Sequence, residues 1–166
     1  MRKNLSMFFA ILALLLASCQ SLIPKPRFKL ALHQVVSEAE RDNANSSLIV
    51  TARSIDGSQK RMIRSFPMID SRHILKIDVL RQNNSSKAAL KIYFDEFAPG
   101  LWSEVRSMGG KLEVAMIVDG FISGFMELPR ELDADGALVT TPMWSLAEAR
   151  LIAENAKRNY KIINKR

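Results

Sequence analysis

Cysteine is all but missing from this sequence: Cys19 is the only one in 166 residues. A disulfide scaffold is thereby excluded, because a small secreted domain stapled by cysteines carries them in pairs. His33 and His73 are the only histidines, and with no cysteine in the domain to join them no zinc-type ligand spacing is visible. No Gly-x-Ser-x-Gly elbow occurs, and no glycine-rich cradle follows a strand, so the sequence supports neither that class of hydrolase nor a nucleotide site. Long apolar runs are also lacking. The stretch from Met7 to Ala17 falls short of the ~20 residues needed to cross a bilayer. No internal repeat or low-complexity tract is present.

What the N-terminus does contain is Arg2 and Lys3, then the apolar run, then Ser18-Cys19. A short basic region, an apolar core and small residues before a cut are the parts of a secretory signal. Leu16-Ala17-Ser18-Cys19 resembles the lipobox of bacterial lipoproteins, in which the cysteine thiol receives diacylglycerol, the chain is cut between Ser18 and Cys19, and the new amino terminus is acylated, commonly with palmitate. The alternative is an ordinary signal or an uncleaved anchor with a chance cysteine. The resemblance implies a signal at 1–18, a lipidated tether at 19–27 carrying Pro24 and Pro26, and a single domain at 28–166. It also implies a protein held to a membrane of the cell envelope and facing the periplasm. Gln20 after the cysteine favours the outer over the inner membrane under the sorting rule of enteric-type bacteria.

Removal of residues 1–18 leaves 22 basic against 17 acidic residues, a net +5. The excess is read as a solvated surface in preference to attraction toward anionic headgroups or an acidic partner, with Lys157, Arg158, Lys161, Lys165 and Arg166 complementing the dipole at the end of a helix. A nucleic-acid partner does not fit the compartment.

Along the mature chain, Phe28, Leu30 and Leu32 alternate with polar or small residues as in a strand, and Ser37 to Ser47 reads as a polar loop. Leu48–Ala52 and the region of Met62-Ile63 flank Asp56-Gly57 as a candidate hairpin. Ile74 to Leu80 alternates Ile74, Lys76 and Asp78 against Leu75, Ile77 and Val79, and Ala89 to Phe94 resumes as a strand. Pro99 to Met108 suits a helix ended by Gly109-Gly110. The strongest local signal is Lys111–Val118 and Phe121–Leu128 joined by Asp119-Gly120, the dipeptide of a type I′ turn. Straight pairing about it puts Leu112, Val114, Met116, Val118, Phe121 and Phe125 on one face, and Glu113, Ala115, Ile117, Ile122 and Gly124 on the other. Ser145-Leu146-Ala147-Glu148 fits a capping box, opening a helix whose Leu146, Ala149, Ala153, Ala156 and Tyr160 share a stripe. The expected class is α+β: a ferredoxin-like half-sandwich, mostly antiparallel, with two helices on one face and additional N-terminal strands.

From Ile74 to Tyr160 the chain resembles the head of the first periplasmic domain of SecD in the SecDF export machinery. The residues concerned are Ala89-Leu90-Lys91-Ile92-Tyr93-Phe94, a helix through Trp102 and Val105, Ala115-Met116-Ile117-Val118-Asp119-Gly120, and the alanine-rich helix after Glu148-Ala149. Pro129 and Asp135-Gly136 depart from the family's usual pattern after the hairpin, and the membrane-embedded part of SecD has no counterpart here. The resemblance implies a non-catalytic binding or assembly module contacting extended or unfolded polypeptides or other envelope components, with no cofactor. Two other classes stand beside it: an envelope hydrolase using scattered carboxylates such as Asp95-Glu96 or Asp133 with Asp135, and a purely structural lipoprotein. Ser71 near Asp70 and His73 is expected to be a turn rather than a nucleophile. Most aromatic residues are expected in the core, with Trp144, just before the cap, on a candidate binding rim.

Overall fold

The computed structural model describes residues 24–41, 48–81, 85–107 and 112–165. Cys19, Ser18 and the expected signal at 1–18 therefore lie outside the described residues. The elements in chain order are β1 (Leu30–Gln34), α1 (Glu38–Arg41), β2 (Ile49–Arg53), β3 (Lys60–Arg64), β4 (Ile69–Asp70), β5 (Ile74–Arg81) and β6 (Ala88–Phe94). They continue with α2 (Ala98–Ser107), β7 (Glu113–Val118), β8 (Phe121–Glu127), β9 (Ala137–Val139) and α3 (Leu146–Asn164). The class is α+β, and every ladder between named strands is antiparallel. The strands are divided among a four-stranded sheet in the order β4-β1-β7-β8, a three-stranded sheet β5-β6-β9 and the β2-β3 hairpin.

Two short elements were hidden in the sequence. The polar stretch after Val36 opens with the single turn α1, held by a second capping box: Ser37 N–H donates to Glu40 Oε2 at 2.9 Å, and Glu40 N–H to Ser37 Oγ at 3.3 Å. The Ser-x-x-Glu spacing of that box is legible at Ser37 and Glu40, although no apolar run follows to mark a helix. The two-residue β4 pairs Ile69 with Leu32 and Asp70 with Ala31, too short to show any alternation.

The β7-β8 hairpin forms at the turn expected for it. Asp119 at φ 48° and Gly120 at φ 93° both take the left-handed region that a type I′ turn requires. Its register departs from straight pairing, however. A bulge sets Gly124 opposite Met116 and Phe125 opposite Ala115, so the two strands' faces exchange beyond Ser123. Phe125 thus leaves the Val114 face expected for it, and Met126 takes its place in the core. Gly124 in turn joins the Met116 face, where a Cβ would come within 2.8 Å of Met143 Sδ. A second bulge between Ile74 and Lys76 makes Leu75 the extra residue of β5, so Ile74 faces inward with Ile77 rather than opposite to it.

The main core lies between the four-stranded and three-stranded sheets and the two longer helices. Leu32, Val114 and Met116 meet Leu90, Ile92 and Leu138, closed by Trp102 of α2 and by Ala149, Ile152 and Ala156 of α3. Each such large aliphatic side chain contributes about 1.5–3 kcal/mol by leaving water. The inward stripe of α3 runs through Ala149, Ile152, Ala156 and Asn159, while Leu146, Ala153 and Tyr160 of the expected stripe are only half-buried. The far face of β7-β8 is covered by strands, not by a helix: Ala115, Ile117 and Ile122 pack on Ala52 and Ile63 of the β2-β3 hairpin. Bridges Val35–Ile63 and Ser54–Ile122 tie that hairpin to the end of β1 and to β8, giving a partly closed barrel around the smaller core.

Candidate functional site

The segment before β1 enters the domain through a clamp built from two distant elements. Asn159 on α3 is fully buried, accepts from Arg27 N–H at 3.1 Å and donates from Nδ2 to Arg27 C=O at 2.6 Å. One residue on, the Asp119 carboxylate accepts from Phe28 N–H at 2.8 Å and Lys29 N–H at 2.9 Å, while Asp119 N–H donates to Lys29 C=O at 3.0 Å. These bonds hold Phe28 at φ 51°, a conformation that a bulky residue adopts only when its surroundings impose it. Ser71, itself buried, completes the anchorage: its hydroxyl accepts from Leu30 N–H at 3.0 Å and donates to Leu30 C=O at 3.1 Å. Beyond the clamp, Pro24 lies over α3 in an open groove of about 630 Å³ lined by Glu154, Lys157, Arg158, Lys161, Ile162 and Lys165.

The candidate acid-base groups are dispersed, and all but the exposed Glu96 are engaged in hydrogen bonds or ion pairs. Ser71 faces Leu30, while His73 Nδ1 meets Asp95 at 3.2 Å, so serine and histidine do not form a relay. Burial of Asp70 opposes its ionisation, yet the Arg72 guanidinium and amide outweigh that effect and hold its carboxyl below the usual range. Asp133 and Asp135 both clasp the Lys91 ammonium, with Asp133 at 2.7 Å. The bond from Lys91, seconded by Ala137 N–H, lowers the Asp133 pKa, and the Asp133 and Asp135 bonds raise that of Lys91. The arrangement fastens the loop before β9 to β6. His33 Nδ1 is bonded to Arg64 C=O at 2.8 Å. Among the described residues no group of three histidine, cysteine or acidic side chains is placed to hold a metal.

Trp144 is not on a rim. It is 3% exposed, packed in the main core, and its backbone pairs with Ala88 across the end of β6. The reason is that 137–144 follows β6 as an extended run, with Thr140 Oγ1 accepting from Leu90 N–H at 2.9 Å, so the residue before the helix cap is carried inward.

No family model matches the chain, and no curated protein is significantly similar to it. Among solved structures it superimposes on SecDF, described as a membrane component that enhances protein export. The TM-score is 0.50 at 14% identity, over 80% of this chain and 63% of that one. The fold is SecDF-like. A second structure, SecDF in a super-membrane-facing form, aligns at TM-score 0.49 and 13% identity over 81% of this chain and 19% of its own. The chain thus spans less than two thirds of either relative, and at such identity the likeness is one of fold.

Within this SecDF-like fold the sheet edges are unequal. The β2-β3 hairpin is bridged to β8 at Ile122 and to Val35 beyond β1, which blunts two edges of the four-stranded sheet. In the three-stranded sheet, by contrast, no strand among the described residues pairs with the outer edge of β5 or of β9. β5 is eight residues long, β9 three. The Leu75 bulge and Lys76 guard only the first part of β5, leaving Ile77–Arg81 as regular strand.

Proposed function

We propose that this chain is a lipid-anchored envelope module that binds extended polypeptide without catalysis, receiving it as an added strand along β5. The observation that carries this reading is the unpaired, regular outer edge at Ile77–Arg81, longer than the unpaired edges left by the two-residue β4 and the three-residue β9. A strand added there gains backbone hydrogen bonds that are indifferent to sequence, as a partner in export requires. Support comes also from the SecDF-like fold, since SecDF enhances protein export. Ser71, His73, Asp95, Asp133 and Asp135 are tied into structural bonds, which favours binding over chemistry. Cys19 carries the lipid, with cleavage after Ser18, and Gln20 directs the protein to the outer membrane facing the periplasm. Asp119-Gly120 serves this module as the clamp on its tether, not as a contact for partners.

Amide hydrogen exchange on the full mature chain tests the binding reading. A reduced, carboxymethylated polypeptide added in excess should slow exchange in β5 from Ile77 to Arg81, while the same polypeptide in its folded form should not. Unchanged exchange there, or protection confined to another element, overturns it. Radioactive palmitate taken up by the wild type and not by Cys19→Ala tests the anchor.

A further inference from the structure

The basic residues at the end of α3 outnumber what a helix dipole explains. Lys157, Lys161 and Lys165 follow one another at four-residue spacing and Arg158 lies beside them, so they share one face of the helix. Like charges at that spacing repel, which a dipole satisfied by one or two cations at the last turn does not require. All four are exposed, and among the described residues none of them is in an ion pair. Among the described residues Glu154 is the one acid lining the groove they form, and the exposed Lys25, Arg27 and Lys29, in no ion pair among those residues, belong to the irregular segment that follows Pro24 into β1. The clamp at Asn159 and Asp119 fixes that entry path, so Pro24 is held on this face and no other.

We propose that this face of α3 is a docking surface for anionic phospholipid, and that it seats the domain on the membrane in one orientation. The inference rests on the lipid anchor at Cys19. Five residue-to-residue steps lead from Cys19 to Pro24. Fully extended they reach about 17 Å at most, and any slack brings the basic face within the ~8–10 Å over which charge is felt in physiological salt. An acylated cysteine therefore holds the patch where an anionic surface attracts it, by about fivefold in partitioning for each Lys or Arg. The β2-β3 turn around Gln59, which belongs to another sheet and does not line the α3 groove, serves as the reference position.

The test uses the full mature lipoprotein carrying an environment-sensitive fluorophore at Glu154→Cys on α3 or, separately, at Gln59→Cys. Each is reconstituted into vesicles bearing a headgroup quencher, of phosphatidylcholine alone or mixed with phosphatidylglycerol. The α3 probe should be quenched several-fold more in the mixed vesicles, the difference should vanish in high salt, and the probe at position 59 should be little affected. Adding Lys157→Glu, Arg158→Glu and Lys161→Glu should abolish the difference; if that variant misfolds, the salt titration of the unreversed protein decides. Equal quenching in the two vesicle types overturns the inference, as does a response of the α3 probe to polyglutamate but not to phosphatidylglycerol, which would assign the face to an acidic polypeptide. Palmitate labelling is read in parallel. Label without charge-dependent quenching sinks this inference alone, whereas absence of label sinks the anchor.

Discussion

Replacing Asn159 with alanine removes both bonds between α3 and the backbone of Arg27, at 2.6 and 3.1 Å. Each is worth about 1 kcal/mol net, and leaving the peptide group of Arg27 only part-solvated adds a further fraction of its desolvation cost. Because Asn159 is fully buried, the lost side chain also leaves a small void. The sum is about 2–3 kcal/mol, a fall in Tm of roughly 5–10 °C for a domain of this size. Urea unfolding of the mature chain measures it, with amide exchange at Arg27 reporting whether the clamp has opened. Asn159→Asp sharpens the argument. The carboxylate still accepts from Arg27 N–H but turns a second acceptor on Arg27 C=O, so burial and that carbonyl raise its folded pKa above the unfolded ~3.9. The resulting destabilisation is present at neutral pH, fades as the pH falls through the raised folded pKa, and is gone below the unfolded value. A loss within about 0.5 kcal/mol for Asn159→Ala, with exchange at Arg27 unchanged, would refute the assignment of Asn159 as the tether's clamp.

Gly124→Ala should cost about 1–3 kcal/mol, since its Cβ meets Met143 Sδ at 2.8 Å and Cβ at 3.2 Å, and Met143→Ala should restore much of it in a double-mutant cycle. Ser145→Ala should cost about 1 kcal/mol through loss of the α3 capping box, read by thermal unfolding. Asp70 and Asp133 have lowered folded pKa values, so their stabilisation holds above the unfolded carboxylate range and is lost as the pH falls through it. Lys91 has a raised one, so its contribution holds below the unfolded lysine pKa and is lost at higher pH. Acid unfolding should therefore shift toward neutrality in Lys91→Met, and an unshifted midpoint would remove the Lys91 clasp from the account. Ile92→Ala should destabilise by about 2–5 kcal/mol, the cost of a cavity in the main core.

The parts of this fold written in local chemistry were readable from the sequence. Asp119-Gly120 gave a type I′ turn and Ser145 with Glu148 a capped helix, because in each the signal and the structure it causes lie within four residues. The two bulges were not readable. An extra residue at Ser123 or Leu75 leaves composition and turn chemistry untouched while exchanging the faces beyond it, so strict alternation misplaced Phe125, Gly124 and Ile74. The covering layer on Ala115 and Ile117 was likewise beyond local reasoning, since a hairpin some fifty residues away supplies it. The tether clamp shows the same limit. Asn159 sits among alanines on a helical stripe, where a buried amide has no local signature, and its partner is 132 residues distant. Asp119-Gly120 spells only a turn in the sequence, yet the Asp119 carboxylate also orders residues 28 and 29. Nearness to a cap suggests a rim position for Trp144, whereas pairing with Ala88 decides its burial.

Site-specific photo-cross-linking in intact cells tests the central claim most directly. A photoreactive residue in place of Leu75, exposed at the start of the β5 edge, should yield a spread of covalent adducts with exported polypeptides, while the same residue at Ser58 on the β2-β3 turn should not. The adducts should diminish when export is blocked and persist when the polypeptides are already secreted but unfolded. Adducts absent from position 75, or equally abundant at position 58, would contradict the reading of this chain as a module that receives extended polypeptide along β5.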